Sequence, residues 1–559
     1  MPHRPRATGL HAVAAVALLA TTLAVTAPAA QAVGPTEPPA TSPPAGEAPG
    51  AEQTSAMDVP MPAQRILPTP RSLETRKGSL TFDASSTIDV GRHPKKGTVA
   101  VATFLSDFLR TPTGYDWAVV RGSHAPGRVV LKTGGPASLG REGYRLDVGR
   151  RRVTVEARTS TGLFHGVQTL RQLMPAAVEQ HERAEGTVWS VPRVRVSDAP
   201  RYPVRGAMLD VARHFMSVEE VKAYIDAMVP LKLNTFELHL ADDQGWRLEI
   251  KSWPRLATYG GALETGGTKG GSYTQAQYAD LVAYAKARHI TLVPEIDLPG
   301  HTNAALASYA ELNCDGKAPE RYTGTDVGFS SLCASKDVTY RFLADVLGEI
   351  AALTPGRYIS IGGDEAHSTT QADYTKMVDA AQRVLRRHGK RMWGWHQTAS
   401  ADPARKSIAA FWGTTGSKDD IALAQEAARK GQRLVMAPAD HAYLDMKYTP
   451  SFPYGQDWAA VVKVSDSYAW DPATLVPGVP SSAVAGVLAP VWTETLPDID
   501  TVELMAFPRL AGIAQIGWSP RRTHDLEPYL VQLAAQGPRW EAAGVNFYRS
   551  PEVAWRRFG

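Results

Sequence analysis

Two adjacent carboxylic acids, Asp364 and Glu365, follow a short apolar run at 358–361 and the dipeptide Gly362-Gly363. An apolar run that ends in glycine predicts a buried strand, with the acidic pair at the end of that strand. Because side chains of neighbouring strand residues point in opposite directions, the pair is badly placed to grip one bond from both sides as acid and nucleophile. We therefore expect the two carboxyl groups to serve one substrate in two different ways, although an isolated Asp-Glu dipeptide would indicate only a polar turn.

Eight apolar, strand-like runs alternate with amphipathic helices after residue 200, and the run before Asp364 is the fourth of them. This alternation predicts an α/β fold, a (β/α)8 TIM barrel. Ser217 and Thr274 each begin a helix with the capping-box pattern, which supports the alternation. The runs are 204–211, 233–240, 290–298, 358–364, 391–395, 408–412, 433–437 and 484–492.

The residues at the ends of these runs have the chemistry of a sugar-binding site. In a TIM barrel the functional site lies at the C-terminal ends of the strands. Carboxylates and arginine bind sugar hydroxyls, and tryptophan rings stack on the C–H face of a sugar. Trp458, in the loop after Tyr443, either reaches this site or packs only within its own loop. The strand-end candidates are Arg213, Asp242, His301, Asp364, Glu365, Trp395, Trp412, Tyr443, Asp445, Trp492 and Glu494.

A metal centre is the competing interpretation, since residues of ligand type occur at the same strand ends. No close pair of histidines accompanies them, and the tryptophans would have no function around a metal ion. The sequence therefore favours a site without a metal. The residues of ligand type are His239, Asp242, Glu295, Asp297 and His301.

Three segments precede the predicted barrel at 200–559. Residues 1–32 combine early arginines, an apolar stretch and the small-residue site Ala30-Gln31-Ala32, which predicts a secretory signal peptide and an extracellular protein. Residues 33–62 are rich in proline and alanine and predict a disordered linker. Residues 63–199 mix a predicted hairpin at 144–156 with a helical pattern at 161–174, and so predict a small α+β domain.

Charge and cysteine content restrict the partners. The formal net charge of the 559 residues is only +4, which indicates neither a nucleic acid nor an anionic membrane as partner. The two cysteines, Cys314 and Cys333, lie in one polar segment, where export would permit them to form a disulfide that closes a loop. Free thiols are the alternative.

The motifs together resemble those of family 20 glycoside hydrolases, the β-N-acetylhexosaminidases. The resemblance covers about residues 63–559, because these enzymes also have a small α+β domain before the barrel. It is carried by Arg213-His214-Phe215, by 239–247 (HLADDQGWR), by 294–301 (PEIDLPGH) and by Gly362-Gly363-Asp364-Glu365.

The resemblance implies substrate-assisted catalysis without a cofactor, in which the 2-acetamido oxygen of the substrate attacks the anomeric carbon. Glu365 would act as general acid and then base, and Asp364 would hold the acetamido N–H. Tyr443 would donate to the acetamido oxygen, and Asp242 and His301 would form a relay to Glu365. The remaining residues would bind the sugar: Arg213 at O3 and O4, Asp445 and Glu494 at O4 and O6, and Trp395, Trp412 and Trp492 as walls, to which Trp458 would add if its loop reaches the site.

The family resemblance implies an exo-acting retaining enzyme that releases terminal GlcNAc or GalNAc from chitooligosaccharides or glycans, with a role in chitin degradation. The partner is then a carbohydrate, and monomer and homodimer are both open. Two alternatives remain: a relative that releases disaccharides, and a sugar-binding relative without activity. Intact Asp364, Glu365 and Tyr443 count against the second.

Overall fold

The computed structural model describes residues 62–122 and 128–555. The predicted signal peptide at 1–32 and all but the last residue of the predicted linker at 33–62 lie outside this part of the chain. Within the described residues, no helix combines the length and apolar character needed to cross a membrane.

The first domain is a seven-stranded mixed sheet with two helices packed on it. The predicted hairpin is confirmed, because β5 and β6 pair antiparallel with Tyr144 opposite Ala157. The predicted helix at 161–174 is also confirmed, shifted by one residue. The sheet order is β1-β7-β5-β6-β4-β2-β3. The elements are β1 Ser72–Thr81, β2 Ile88–Asp89, α1 Lys96–Thr113, β3 Val119–Val120, β4 Arg128–Thr133, β5 Tyr144–Val148, β6 Arg152–Ala157, α2 Ser160–Leu173 and β7 Ser190–Asp198.

Eight parallel strands then close into a barrel, and each lies within one of the eight predicted runs. The α/β TIM-barrel prediction is therefore confirmed. Barrel closure brings the first strand beside the last, with Gly486 paired to Val204. The strands are β8 Val204–Asp210, β9 Thr235–His239, β10 Thr291–Glu295, β11 Tyr358–Ser360, β12 Arg391–Trp395, β13 Ile408–Phe411, β14 Arg433–Met436 and β15 Val484–Val491.

Helices surround the barrel. Both predicted capping boxes are present: Ser217 caps the helix at 218–228 and Thr274 the helix at 275–287, each with the reciprocal bond from the third residue. The helices are α3 Val218–Met228, α4 Gln275–Ala287, α5 Asn303–Ser308, α6 Asp337–Leu353, α7 Gln371–Arg387, α8 Lys418–Lys430, α9 Ala439–Ala442, α10 Ile499–Ala506, α11 Arg509–Trp518, α12 Leu526–Ala534 and α13 Gly537–Ala543. A disulfide joins Cys314 to Cys333, so the predicted pairing is also confirmed.

The fourth strand is shorter than the predicted run and corrects one step of the sequence argument. Strand β11 ends at Ser360, and the chain then turns through positive φ angles at Gly362 (59°), Gly363 (91°) and Glu365 (41°). A Cβ atom at Gly362 would lie 2.1 Å from the carboxyl group of Asp297, so only glycine fits there. The acidic pair thus lies on an irregular loop, and strand alternation does not set the directions of its side chains.

The small domain packs against the N-terminal end of the barrel, away from this loop. Arg205, at the start of β8, forms an ion pair with Glu142. Lys232, just before β9, donates to the hydroxyl of Tyr144 at 2.9 Å and approaches Asp198 at 3.3 Å. The domain contact is therefore polar and buried, and it leaves the C-terminal end of the barrel free.

Candidate active site

The acidic pair combines two different environments. The side chain of Asp364 is nearly buried, and its Oδ1 atom has no hydrogen-bond partner. Burial raises its pKa to about 6; the charge of Glu365 adds to the rise and His301 opposes it. The side chain of Glu365 remains 27% exposed, so it is open to a substrate and to water. The two carboxyl groups therefore differ in solvation, as different roles require.

The loop that carries this pair is held by its backbone. The Gly363 N–H donates to Asp297 Oδ1 at 2.9 Å, and the Tyr374 hydroxyl donates to the Gly363 carbonyl at 2.6 Å. Asp297 is itself buried, and burial with the nearby charge of Asp364 raises its pKa well above the usual value. Sequence analysis named Asp297 only as a residue of ligand type; its position at the end of the third strand was the signal.

A line of charged groups connects Asp242 with Glu365 through His301. The Nδ1 atom of His301 lies 3.1 Å from Asp242 Oδ1, and its Nε2 atom lies 3.4 Å from Glu365 Oε2. Although burial works against its charge, the two carboxylates raise the pKa of His301 well above its usual value. Asp242 stays ionised, because Arg213 and His301 hold its pKa well below the usual range. The structure thus places the three predicted relay residues in series.

Arg213 is fixed in place by three side chains. Its Nη2 atom lies 2.9 Å from Asp242, its Nη1 donates to Asp210 at 3.3 Å, and its Nε donates to Gln244 at 3.1 Å. The guanidinium also lies 4.9 Å from the ring centre of Trp492. Neither Asp210 nor Gln244 was predicted to have a role, although Gln244 lies within the motif at 239–247.

The surroundings of Asp242 bear on whether the site could hold a metal ion. Three groups in the described chain have ligand atoms within 4.8 Å of one another: His239, Asp242 and Asp297; Asp242, Asp243 and His301; Asp297, His301 and Asp364. Asp242 already has Arg213 and His301 as cationic partners and accepts from His239 at 2.7 Å. A divalent cation in either group that contains Asp242 would compete with these positive charges. The third group would need a neutral imidazole at His301, but the raised pKa of His301 keeps that ring protonated, so none of the three donor sets fits a metal ion.

Aromatic rings form a continuous wall beside the acidic pair. Trp395 and Trp492 lie 5.8 Å apart between ring centres, Trp492 and Tyr443 6.3 Å, Tyr443 and Trp458 6.0 Å, and Trp458 and Trp412 5.9 Å. Trp395 is anchored by its indole N–H, which donates to Glu295 at 3.1 Å. Trp458 is 53% exposed, so it extends the wall to the rim and does not pack only within its loop.

Asp445 follows α9, after the seventh barrel strand, and Glu494 follows the eighth barrel strand. Asp445 is buried and accepts the Trp492 N–H at 3.3 Å. Burial raises the pKa of both carboxyl groups, and for Asp445 the charge of Glu494 adds to the rise. Arg213 lowers the pKa of Glu494 and so connects this pair with the guanidinium. The structure therefore brings all twelve predicted catalytic and binding residues to one end of the barrel.

A parallel barrel with carboxylates, one arginine and an aromatic wall at the C-terminal end of its strands defines a carbohydrate-active enzyme of the TIM-barrel class. Comparison with known proteins agrees. The sequence model of the catalytic domain of glycosyl hydrolase family 20 matches residues 202–521, and the model of domain 2 of that family matches residues 63–199. The chain belongs to glycosyl hydrolase family 20.

Individual relatives cover most of the chain. A β-N-acetylhexosaminidase from Cellulomonas fimi is 38% identical over 497 residues, which are 89% of this chain and 98% of the relative. The family 20 β-N-acetylhexosaminidase from Streptomyces coelicolor has a solved structure with 53% identity and a TM-score of 0.86, covering 89% of this chain and all of that one. A Streptomyces plicatus β-hexosaminidase variant, solved in complex with product GlcNAc, has 52% identity and a TM-score of 0.86, with 89% and 99% covered.

Proposed function

We propose that this family 20 β-N-acetylhexosaminidase releases single terminal GlcNAc or GalNAc residues from the non-reducing end of its substrate, with retention of configuration. The observation that carries the proposal is the environment of Asp364. Its buried carboxyl group has one oxygen without a partner, beside an open carboxyl group and an aromatic wall. Such an oxygen is an acceptor for a substrate N–H, which a 2-acetamido group supplies.

The nucleophile in this proposal is the acetamido oxygen of the substrate. Attack on the anomeric carbon breaks the glycosidic bond and gives a cyclic oxazolinium ion. The negative charge of Asp364 stabilises the positive charge that develops on the acetamido nitrogen. Tyr443, buried and in ring contact with Trp458 and Trp492, donates its hydroxyl hydrogen to the acetamido oxygen and directs the attack.

Glu365 acts twice on the exposed side. As an acid it gives its proton to the departing oxygen; as a base it then takes a proton from the water that opens the oxazolinium ion. A cationic His301 at 3.4 Å stabilises ionised Glu365, which favours proton donation in the first step and keeps the carboxylate ready to act as base in the second, and Asp242 keeps His301 charged. Proton transfer and nucleophilic attack are therefore divided between the enzyme and the substrate.

The polar side of the site supports exo action. The charge of Arg213, which lies over Trp492, acts on Glu494, and the charge of Glu494 acts on Asp445. These three side chains would bind the O3, O4 and O6 hydroxyls of a terminal sugar. Chitooligosaccharides and related glycans are the substrate class we propose, with a role in chitin degradation outside the cell after export by residues 1–32. The products of a chitotetraose digest test this: monosaccharide should appear first, whereas disaccharide as the first product would favour the alternative relative.

The deciding experiment compares an aryl β-GlcNAc glycoside with the matching aryl β-glucoside, which lacks the acetamido group. Strong hydrolysis of the first with negligible hydrolysis of the second is expected, because only the first substrate has a nucleophile. Comparable rates on both would show that an enzyme group is the nucleophile and would contradict the proposal. A lack of turnover on both would support the sugar-binding alternative.

A further inference from the structure

One carboxyl group below the site has no part in the mechanism above. Glu237 lies in the middle of β9 and is completely buried. Its strand neighbours Phe236 and Leu238 pack into the apolar layer outside the barrel, so by alternation Glu237 faces the barrel interior, as His239 does. The interior around it is mostly apolar and includes Met208, Val293, Trp393 and Leu488.

Glu237 forms no ion pair in the part of the chain that the structure describes, although the charge of His239, on its own strand, acts on it. Neither of its carboxyl oxygens accepts a hydrogen bond in good geometry, and the strongest charges that act on it are those of Glu295 and His239. A carboxylate buried in a mostly apolar interior beside a second carboxylate is so costly that one of the two groups takes up a proton. Burial, strengthened by the charge of Glu295, accordingly raises the pKa of Glu237 well above its usual value.

Glu295 is the carboxyl group that can accept a hydrogen bond from protonated Glu237. Glu237 pairs in register with Val293 on β10, and Glu295 follows two residues later on the same face. The Oε2 atom of Glu295 is also buried without a hydrogen-bond partner, while its Oε1 accepts the indole N–H of Trp395. The other groups that act on Glu237 are the hydroxyl of Ser360 on β11 and the imidazole of His239 on its own strand, and both lower its pKa without cancelling the effect of burial.

We propose that Glu237 is a permanently neutral carboxylic acid that donates a hydrogen bond to Glu295 and is thereby a positioning residue for the reaction. Two adjacent carboxyl groups in an apolar interior share one proton, and a hydrogen bond from the Glu237 O–H then holds the carboxyl group of Glu295 in place. Glu295 then has a defined orientation, with one oxygen toward Trp395 and the other 3.5 Å from His239 Nδ1.

The consequence reaches both halves of the site. Glu295 accepts from Trp395, so Glu237 helps to fix the position of Trp395 beside Trp492 in the aromatic wall. Glu295 also lies beside His239, so Glu237 helps to fix the orientation of His239 and of its partner Asp242, which binds Arg213 and His301. This role rests on the proposed function, because the groups that Glu237 positions are those that act on the sugar. The presence of a proton on Glu237 does not depend on the proposed function, and a spectroscopic measurement without any substrate tests it.

The first experiment compares infrared difference spectra of the wild type and Glu237→Gln across neutral pH. We expect the wild type to show a protonated carboxylic acid band that the variant lacks. A carboxylate band lost in its place would overturn the proposal, whatever the activity on aryl glycosides proves to be.

The second experiment tests positioning with two replacements of similar length. Glu237→Gln is neutral and keeps a donor, so we expect its kcat and the pH profile of its kcat/KM to match those of the wild type. Glu237→Met has no donor, so Glu295 and the residues that it orients should shift, and we expect kcat to fall by about tenfold or more, since small misplacements of reacting groups are costly. We also expect the pH profile of kcat/KM to shift. Met208→Leu is the matched control for altered packing in the same interior and should leave the pH profile unchanged.

Equal losses in the Gln and Met variants, or wild-type kinetics in both, would overturn the positioning role. Should Glu237→Met fail to fold, the Gln variant still decides the question, since its infrared band and its pH profile are both predicted. Failure of the proposed function appears separately, as equal hydrolysis of β-GlcNAc and β-glucoside substrates by the wild type.

Discussion

Glu365 and Asp364 are neighbours in the chain, yet only Glu365 is open to solvent. This difference makes the effect of Glu365→Gln depend on the leaving group. We expect the variant to lose most activity on chitobiose, whose sugar leaving group needs a proton, and to keep much more on an activated aryl β-GlcNAc glycoside. Ratios of kcat/KM for the two substrates measure the effect. Equal losses on both would contradict the role of Glu365 as the acid.

Tyr443 is a second residue whose hydroxyl can be tested alone. Tyr443→Phe keeps the ring contacts with Trp458 and Trp492 and removes only the donor. By analogy with removing one donor to a developing oxyanion, kcat should fall by about 10² to 10³ while the fold is unchanged. Steady-state kinetics with aryl β-GlcNAc provide the measurement. A loss of tenfold or less would mean that the hydroxyl is not directed at the acetamido oxygen.

The raised pKa of Asp364 predicts the acidic limb of the pH profile. Below its pKa of about 6 the carboxyl group is protonated and neutral, so it can no longer offset the positive charge of the intermediate. We therefore expect kcat/KM to fall as the pH is lowered through about 6, and this limb to be lost in Asp364→Asn, which also lowers kcat.

Glu503 supplies the control for this pH dependence. It is another buried carboxyl group whose pKa is raised by burial, to about 7, but it lies on α10 and accepts the N–H of Asn546. Glu503→Gln should leave the limb near pH 6 in place. A limb that moves in this variant, or one that stays in Asp364→Asn, would show that another group titrates there.

At the scale of an element, the disulfide-closed loop 315–332 connects stability with the site. Its Gly324 carbonyl accepts from Gln244 at 2.9 Å, and Gln244 in turn holds Arg213. The double variant Cys314→Ala/Cys333→Ala should lower the free energy of unfolding by up to about 3 kcal/mol, the value for a loop of this length. It should also raise KM, because the support of Arg213 is loosened.

Thermal unfolding with and without a reductant measures the effect. The reductant should lower the Tm of the wild type and leave that of the double variant unchanged, which separates the disulfide from general effects of the reagent. An unchanged KM in the double variant would mean that the loop does not support Arg213.

At the scale of the whole molecule, Asp198 joins the two domains. Its Oδ2 atom accepts from Tyr144 at 2.8 Å and from Trp518 at 2.9 Å, and lies 3.3 Å from the buried Lys232. Asp198→Ala would leave the buried Lys232 without a counter-charge, so the free energy of unfolding should fall by about 3–5 kcal/mol. Urea unfolding measures this loss.

An exposed ion pair provides the comparison. Glu426→Ala removes the partner of Arg429 on the surface of α8 and should cost no more than about 1 kcal/mol. Equal effects of the two substitutions would mean that the domain contact contributes no more than a surface pair. The double variant Asp198→Leu/Lys232→Met should recover part of the loss, because it removes both buried charges.

The sequence by itself determined the barrel, the order of its strands and the set of residues at its C-terminal end. These properties are local: apolar runs, capping residues such as Ser217 and polar residues after each run can be read within a few positions. For the same reason, the hairpin of β5 and β6 and the site of Asp364 and Glu365 were predicted without knowledge of distant contacts.

Only the tertiary structure decided how these residues interact. Asp242 meets His301 across 59 residues, and Glu295 meets Trp395 across 100, because barrel closure brings separate strand ends together. The environments of Asp364 and Glu237 also depend on closure, since burial and carboxyl oxygens without a hydrogen-bond partner belong to the assembled interior. The wrong step about strand alternation has the same origin: the backbone after β11 turns to fit Asp297, which lies on a different strand end and is not visible in the local pattern.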